Sequence, residues 1–513
     1  MSELAVRQKS TLGNVRLIVA RACQDAIRAL PSIPGIPTWA TWISIVLLCA
    51  GLGVAGAILG ISVLALLAGI AIAIPLGIAL VQRPQRGTLL LVAIVPFDGL
   101  LQVLPLPAST RSYKEAIVVA TLMATLLAPN AAKAVRIAPE DRRYPSWVPA
   151  VVGLLIVGLV SAAQVSSTQA VTGFRIDFFY LLFAVAIWRC PLGLKDRDRL
   201  VTILMVTGVI TAFLGIAEEI VGAGRLNALG FQYNSTIRFT GSHLRAFSTF
   251  ANPFPFAFFL MIVTLISMPA ALSDIKRTRN RLFLASMPIV AIALLFTFVR
   301  GAWLGLAVGW LFLAWRRNRI LLLVVPLIAV AFLYLPGSIT SSSVSSSSLS
   351  ERSAGWSQNF DQVISHPFGI GIGATGAAAS VVSALEANGN GNVVNTSVPG
   401  TATYQPDNYY YKTIYELGIL GLWMFVLLLA AAFSATLKVS RTSGGVEGTF
   451  SLGVSACVLG AATASLVATY FEIFPMDLLF WTLLAVATTG LPSGERPSDS
   501  VSDSALYRLS PIH

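Results

Sequence analysis

Apolar residues in this chain come in long unbroken blocks separated by short polar segments. They neither alternate with period two nor form single helical stripes. The blocks approach or exceed the ~17–20 residues that a helix needs to cross a ~30 Å hydrocarbon layer. The pattern predicts about fourteen transmembrane helices, at roughly 42–60, 62–82, 88–106, 115–130, 148–165, 173–189, 201–222, 254–272, 282–299, 301–315, 320–336, 411–437, 450–471 and 474–490. The expected fold class is therefore all-α, a polytopic membrane helical bundle.

The stretch 282–315 is interrupted only by Arg300. As one helix it would run ~50 Å, too long for a bilayer. It is read as two helices meeting at Val299-Arg300-Gly301, with Arg300 at a tight turn on the outer side.

Composition agrees with the pattern: 56% of the 513 residues are hydrophobic and 11% charged, against about a quarter charged in soluble domains. The net charge of +12 does not imply nucleic acid binding. With the N-terminus inside, 26 of the 35 Lys and Arg residues fall in the segments placed in the cytoplasm. That is the bias that orients membrane proteins. The expected layout is a basic cytoplasmic segment at 1–41, a membrane bundle over 42–336 with an outer loop at 223–253, a large periplasmic loop at 337–410, a second membrane portion at 411–490 and a cytoplasmic tail at 491–513. Both termini are expected in the cytoplasm. No removable signal peptide is expected, because the first apolar block starts only near Trp42. Cys23, Cys49, Cys190 and Cys457 fit neither a metal site nor a disulfide framework.

The large loop opens with a Ser-rich tract at 340–350, read as a connector. Ser348 and Glu351 form a capping box before Trp356, Phe360, Val363 and Ile364, which share one face of a short amphipathic helix. Pro367 ends it. Gly369, Gly371 and Gly373 follow, a plain turn or a close approach of backbone to a ligand. The small-residue stretch 374–403 does not read as a rigid element.

Charge at membrane depth is costly and needs a reason. Arg175, Arg245, Arg300 and Arg352 all fall at or beside the outer surface. Converging on one cavity, they would bind a diphosphate through forked hydrogen bonds. Taken singly, each also fits headgroup contact, or pairing with an acid such as Asp177 or Glu351. Asp407 and Asn408 stand where the large loop re-enters the membrane. Asp407 fits a general base toward a hydroxyl, and both residues fit a helix cap. His366 and His243 are each read as structural or catalytic. Asp98 lies in a proline-broken span and faces a cavity or nothing. Glu218 and Glu219 bind sugars or mark the interface.

Four ordered segments resemble the bacterial O-antigen ligase and polysaccharide polymerase family. They are Arg245-Ala-Phe-Ser-Thr-Phe-Ala-Asn252-Pro253, Phe296-Thr-Phe-Val-Arg300-Gly301-Ala-Trp303, Arg352 with Trp356 and then His366-Pro-Phe-Gly-Ile-Gly-Ile-Gly373, and Asp407-Asn408 followed by Tyr415-Glu416-Leu-Gly418-Ile-Leu-Gly421. The resemblance covers about residues 240–425. It implies a GT-C-like glycosyltransferase in the bacterial inner membrane, moving glycan from an undecaprenyl-diphosphate-linked oligosaccharide to an acceptor glycan. No cofactor, nucleotide sugar or metal is implied. Carried across, Arg245, Arg300 and Arg352 hold the diphosphate, with Arg175 as a fourth. His366 and Asn408 join the substrate-binding set, and Asp407 is the base. Ligases of the family carry histidine where Asp407 stands, which favours a polymerase over a ligase acting on lipid A-core. The rival from another class is a lipid-linked oligosaccharide flippase, which the large one-sided loop and the lack of an internal repeat disfavour. Membrane lipids, and other polysaccharide-assembly proteins, are the remaining expected partners.

Overall fold

A computed structural model describes residues 75–103, 112–127, 144–233, 235–316, 363, 365–387 and 407–491. The expected spans at 42–60 and 320–336, most of 62–82, the Ser-rich tract, nearly all of the amphipathic helix and Arg352 lie outside the described residues.

The apolar blocks form helices in the expected order. These are α1 (Gln85–Ile94), α2 (Tyr113–Leu127), α3 (Val148–Ala162), α4 (Ser167–Phe178), α5 (Leu181–Arg189), α6 (Leu194–Val221), α7 (Ala223–Ala228), α8 (Pro253–Ser273), α9 (Thr278–Phe296), α10 (Arg300–Arg316), α11 (Gly376–Ala387), α12 (Tyr409–Thr442), α13 (Gly445–Ala464) and α14 (Met476–Thr488). The chain divides into two compact units, Met1–Leu76 and Gly77–His513, and all of these helices belong to the second. Among the described residues, α6, α8, α9, α12 and α13 are long and apolar enough to cross a membrane. A sixth such span is made if α4 and α5, bent by 48° where they meet, are counted together. The chain is a multi-pass helical membrane protein.

Sequence sets the packing order. Helix α8 is apolar on every side and is buried almost throughout, so it sits at the centre of the bundle. Asn252 caps it by accepting the Phe254 N–H at 3.0 Å, and Pro253 takes the first position, where no N–H is needed. Helix α13 packs on α8, α10 and α12. Small residues let the backbones close in: a Cβ on Gly305 of α10 would lie 2.6 Å from the Gly460 carbonyl oxygen of α13.

The break expected at Val299-Arg300-Gly301 is present. Helix α9 ends at Phe296 and α10 begins at Arg300, with Phe298 in the left-handed region at φ 53°. Two expectations change. The span at 173–189 is not one straight helix but the bent α4–α5 pair. The stretch after the glycines is not featureless, because 376–387 forms α11.

One end of the bundle is fastened by ion pairs. Arg197, fully buried, donates to Glu447 (3.0 Å) and to the carbonyls of Leu192 and Thr489. Asp198 accepts a forked pair from Arg277 at 2.8 and 2.7 Å. The opposite end carries the loops 222–252, 297–299, 366–376 and 465–475, and with them the polar clusters around Arg245 and Lys412.

Candidate functional site

The loop between α6 and α8 folds back on itself as a two-stranded hairpin, β1 (Phe239–Thr240) and β2 (His243–Leu244). Gly241, at φ 60°, allows its two-residue turn. The strands bring Arg238 opposite Arg245, whose N–H donates to the Arg238 carbonyl at 2.8 Å. Two neighbours fix this loop. Ala246 N–H donates to the Phe296 carbonyl and Arg245 Nε to the Thr297 carbonyl, both on the α9–α10 turn. From α6, Glu218 Oε2 accepts the N–H groups of Phe247 and Ser248 at 2.9 Å each. Ser248 sits at φ 54°, and its hydroxyl donates to the Thr211 carbonyl. Glu218 is thus a backbone clamp for a strained turn.

The result is a cluster of guanidinium groups. Arg245 and Arg238 lie 5.0 and 6.0 Å from the ring centre of Phe254. Burial, then the charges of Arg238 and Arg300, pushes Arg245 down to about 10, so it still carries its charge at neutral pH. Arg238 is also lowered, by burial. Among the described residues no carboxylate lies within ion-pair distance of Arg238 or Arg245. Half-buried cations of one sign, set over an aromatic face, have the chemistry to hold a multivalent anion.

The second cluster lies where α12 begins. Asp407 is half-buried and directly precedes Asn408. Asn408 caps α12, its side-chain oxygen accepting the Tyr411 N–H at 3.0 Å. Tyr409 N–H donates to the Ser465 carbonyl at 2.8 Å, which ties the re-entry point to the end of α13. Two turns later α12 is broken, with Gly418 at φ 69°, ψ −172°. The glycine segment fills the gap: Ile370 and Gly371 donate to the carbonyls of Tyr415 and Glu416, and Ile419 donates to that of Pro367. The three glycines have φ of 83°, 112° and 75°; Gly369 and Gly373 approach other backbone closely, and Gly371 the Val165 side chain.

Beside this break Lys412 Nζ reaches Glu416 at 2.9 Å, Asp177 at 3.1 Å and Glu472 at 3.5 Å. A cavity of about 30 Å³ is lined by Asp177, Tyr409, Lys412, Glu416, Phe471 and Asp477 among others. That is room for water.

Of the residues singled out from sequence, Arg245 and Arg300 come together. Arg175 does not join them, since it pairs with Glu115 at 2.8 Å. Among the described residues Asp177 pairs with Lys412 and not with an arginine. His366 is exposed, its Nδ1 3.0 Å from the Ser365 hydroxyl, and His243 stacks on Phe298. Asp98 faces Lys114 at 3.7 Å from a 3₁₀ turn that starts at Val95.

Sequence reasoning passed over Arg238, Lys412 and Glu472. Thr-Gly-Ser-His at 240–243, a glycine-led turn, signals the hairpin that pairs Arg238 with Arg245. Lys412 and Glu416, four apart at the head of a membrane helix, are an ion pair readable from spacing.

Residues 285–426 match the family model described as O-antigen ligase, and over that segment the resemblance read from the sequence holds. No curated protein matches the chain.

Proposed function

We propose, from the premise that residues 285–426 form an O-antigen ligase family domain, that the chain is a polysaccharide polymerase of the bacterial inner membrane. Its donor is an undecaprenyl-diphosphate-linked oligosaccharide, its acceptor a glycan hydroxyl, and its active face is the periplasmic one. The observation that carries this reading is the arginine cluster. A half-buried Arg245, crowded by Arg238 and Arg300 and with no carboxylate partner among the described residues, suits a diphosphate.

In the reaction the acceptor oxygen bonds to the anomeric carbon as the bond from that carbon to the diphosphate breaks. The electron pair leaves on the diphosphate, which Arg245, Arg300, Arg238 and, from sequence, Arg352 stabilise. Asp407 takes the hydroxyl proton. Asn408 orders the re-entry as a cap, and His366 lies on the loop near the same end.

The test uses purified protein in lipid nanodiscs with lipid-linked oligosaccharide. Arg300→Lys is expected to lower transfer ~10–150-fold, because one charge-assisted hydrogen bond contributes ~1.5–3 kcal/mol. Asp407→Asn is expected to lower it ~10²–10⁴-fold. Parental rates in both variants would sink the reading. Asp407→His separates polymerase from ligase chemistry, since it installs the residue that the ligase branch carries there.

A further inference from the structure

The buried cluster around Lys412 is not used by the proposed reaction, and its charges do not balance. Lys412, Asp177, Glu416 and Glu472 have side chains 3%, 6%, 1% and 1% exposed. One ammonium thus faces three carboxylates in a buried pocket, where surplus negative charge is costly and is relieved by a further positive charge.

Hydrogen bonds identify where it goes. Glu416 is filled: one oxygen accepts from Lys412, and the other accepts the Thr375 N–H and hydroxyl at 2.9 and 2.8 Å. Both Asp177 oxygens accept from Lys412 at 3.1 Å. Glu472 is different. Its Oε1 accepts the Ala377 N–H at 3.2 Å, while Oε2 is buried with no partner. That oxygen rests against Gly376, where a Cβ would come within 2.5 Å of it.

These same carboxylates hold the large loop down. Thr375 and Ala377 flank the start of α11, whose first N–H groups have no partner within the helix. Glu416 and Glu472 supply acceptors there, favoured by the helix dipole. Lys412 then ties both to α12 and, through Asp177, to α4.

We infer that Lys412 and Glu472 are positioning residues: with Asp177 and Glu416 they form a latch that docks the glycine segment and α11 onto the broken turn of α12, and Glu472 must carry a proton for the latch to hold. A proton on Glu472 removes one of the two surplus negative charges. The groups facing it are Lys412, Glu416 and Tyr409 from α12, Asp177 from α4 and the Ala377 N–H from α11. Burial, only partly offset by Lys412, pushes Glu472 from its ordinary 4.5 up to about 7. Because the docked value is the higher one, docking is strongest below pH 4.5. It weakens through the window from 4.5 to about 7, by at most ~10-fold per pH unit, and is constant above that. That the latch sets the rate of glycan transfer rests on the proposed function; that it holds the loop does not.

The experiment places a cysteine at Ala378, which is 1% exposed on α11. The full chain in nanodiscs is then labelled with an impermeant maleimide from pH 5 to pH 8. Dividing each rate by that of the same chain carrying Glu472→Gln cancels the pH dependence of thiol chemistry. The ratio is expected to rise at least tenfold between pH 5 and pH 7.5 and then level off. A flat ratio overturns the proton-dependent latch. Lys412→Gln is expected to label at least tenfold faster than the parent at pH 5, and equal labelling overturns the role of Lys412. If that variant does not fold, the Glu472 ratio decides alone. Labelling as expected in a protein with no glycan transfer would leave the latch standing and remove the proposed function.

Discussion

Gly418 gives the sharpest test of how the large loop docks. At φ 69°, ψ −172° it occupies a region essentially reserved for glycine, so alanine there costs ~1–3 kcal/mol in backbone strain. A second cost comes from space. A Cβ at 418 would lie 2.2 Å from the Pro367 carbonyl oxygen and 2.6 Å from the Phe368 Cα, and neither backbone atom can swing away as a side chain would. The docked segment has to lift. The first loss is the hydrogen bond from Ile419 N–H to Pro367, and those from Ile370 and Gly371 to Tyr415 and Glu416 are strained. At ~0.5–1.5 kcal/mol each, losing one to three of these adds ~0.5–4.5 kcal/mol. Gly418→Ala is therefore expected to destabilise the docked state by ~1.5–7.5 kcal/mol.

Two controls separate the terms. Gly222, at φ 79°, ψ 153°, has nothing within 4 Å of its Cβ position, so Gly222→Ala carries strain alone, ~1–3 kcal/mol. Gly224 in α7 has neither strain nor neighbours, so Gly224→Ala is expected to be neutral or stabilising by up to ~1 kcal/mol. Heat aggregation in detergent, followed by fluorescence-detected size exclusion, ranks the three. The expected order of melting is Gly224→Ala at or above the parent, then Gly222→Ala, then Gly418→Ala. Should Gly418→Ala melt with or above Gly222→Ala, the close docking of Pro367 on α12 is wrong.

Both Glu218 bonds go to one oxygen, so Glu218→Gln, which keeps an amide oxygen there, is expected near parental stability and transfer. Glu218→Ala strands two buried N–H groups and is expected to cost ~2–4 kcal/mol in the same melting assay; a large loss in the Gln variant would instead assign Glu218 a charge-dependent role. For orientation, a cysteine at Asn388 is expected to react with impermeant maleimide in spheroplasts and one at Thr442 only after lysis. The opposite pattern would invert the topology and the proposed chemistry with it.

What the sequence revealed of this molecule tracks the range of each interaction. Apolar blocks report helices because crossing a bilayer demands length, and the α9–α10 break was legible because one 34-residue helix does not fit. The α4–α5 bend was not, because nothing at Phe179-Tyr180 breaks a helix by propensity. Arg245 and Arg300 were read as members of one set with Arg175 and Arg352, from their place at the outer surface and from family likeness, yet Arg238 was missed, because its nearness depends on the hairpin register. Glu472 is a lone acid in sequence, and only the tertiary fold carries it to Lys412.

The extent of the family segment bears on how the site is built. Residues 285–426 contain Arg300, Asp407, Asn408, Lys412 and Glu416, but not Arg245, Asp177, Glu218 or Glu472. Arg300 and Lys412 each lie against members of the second. The turn that carries Arg300 is held against the Arg245 loop, which Glu218 clamps from α6. Asp407 precedes a helix whose first N–H beyond the cap is fixed by Ser465 and whose lysine pairs with Asp177. The family segment is therefore set in a frame made by α4, α6 and the α13–α14 turn. On the proposed reading, substitutions in that frame act on transfer through geometry and leave the chemistry of Arg300 and Asp407 intact. Frame variants such as Glu218→Ala should accordingly recover transfer on cooling, which favours the docked state, while Asp407→Asn should stay inactive at every temperature.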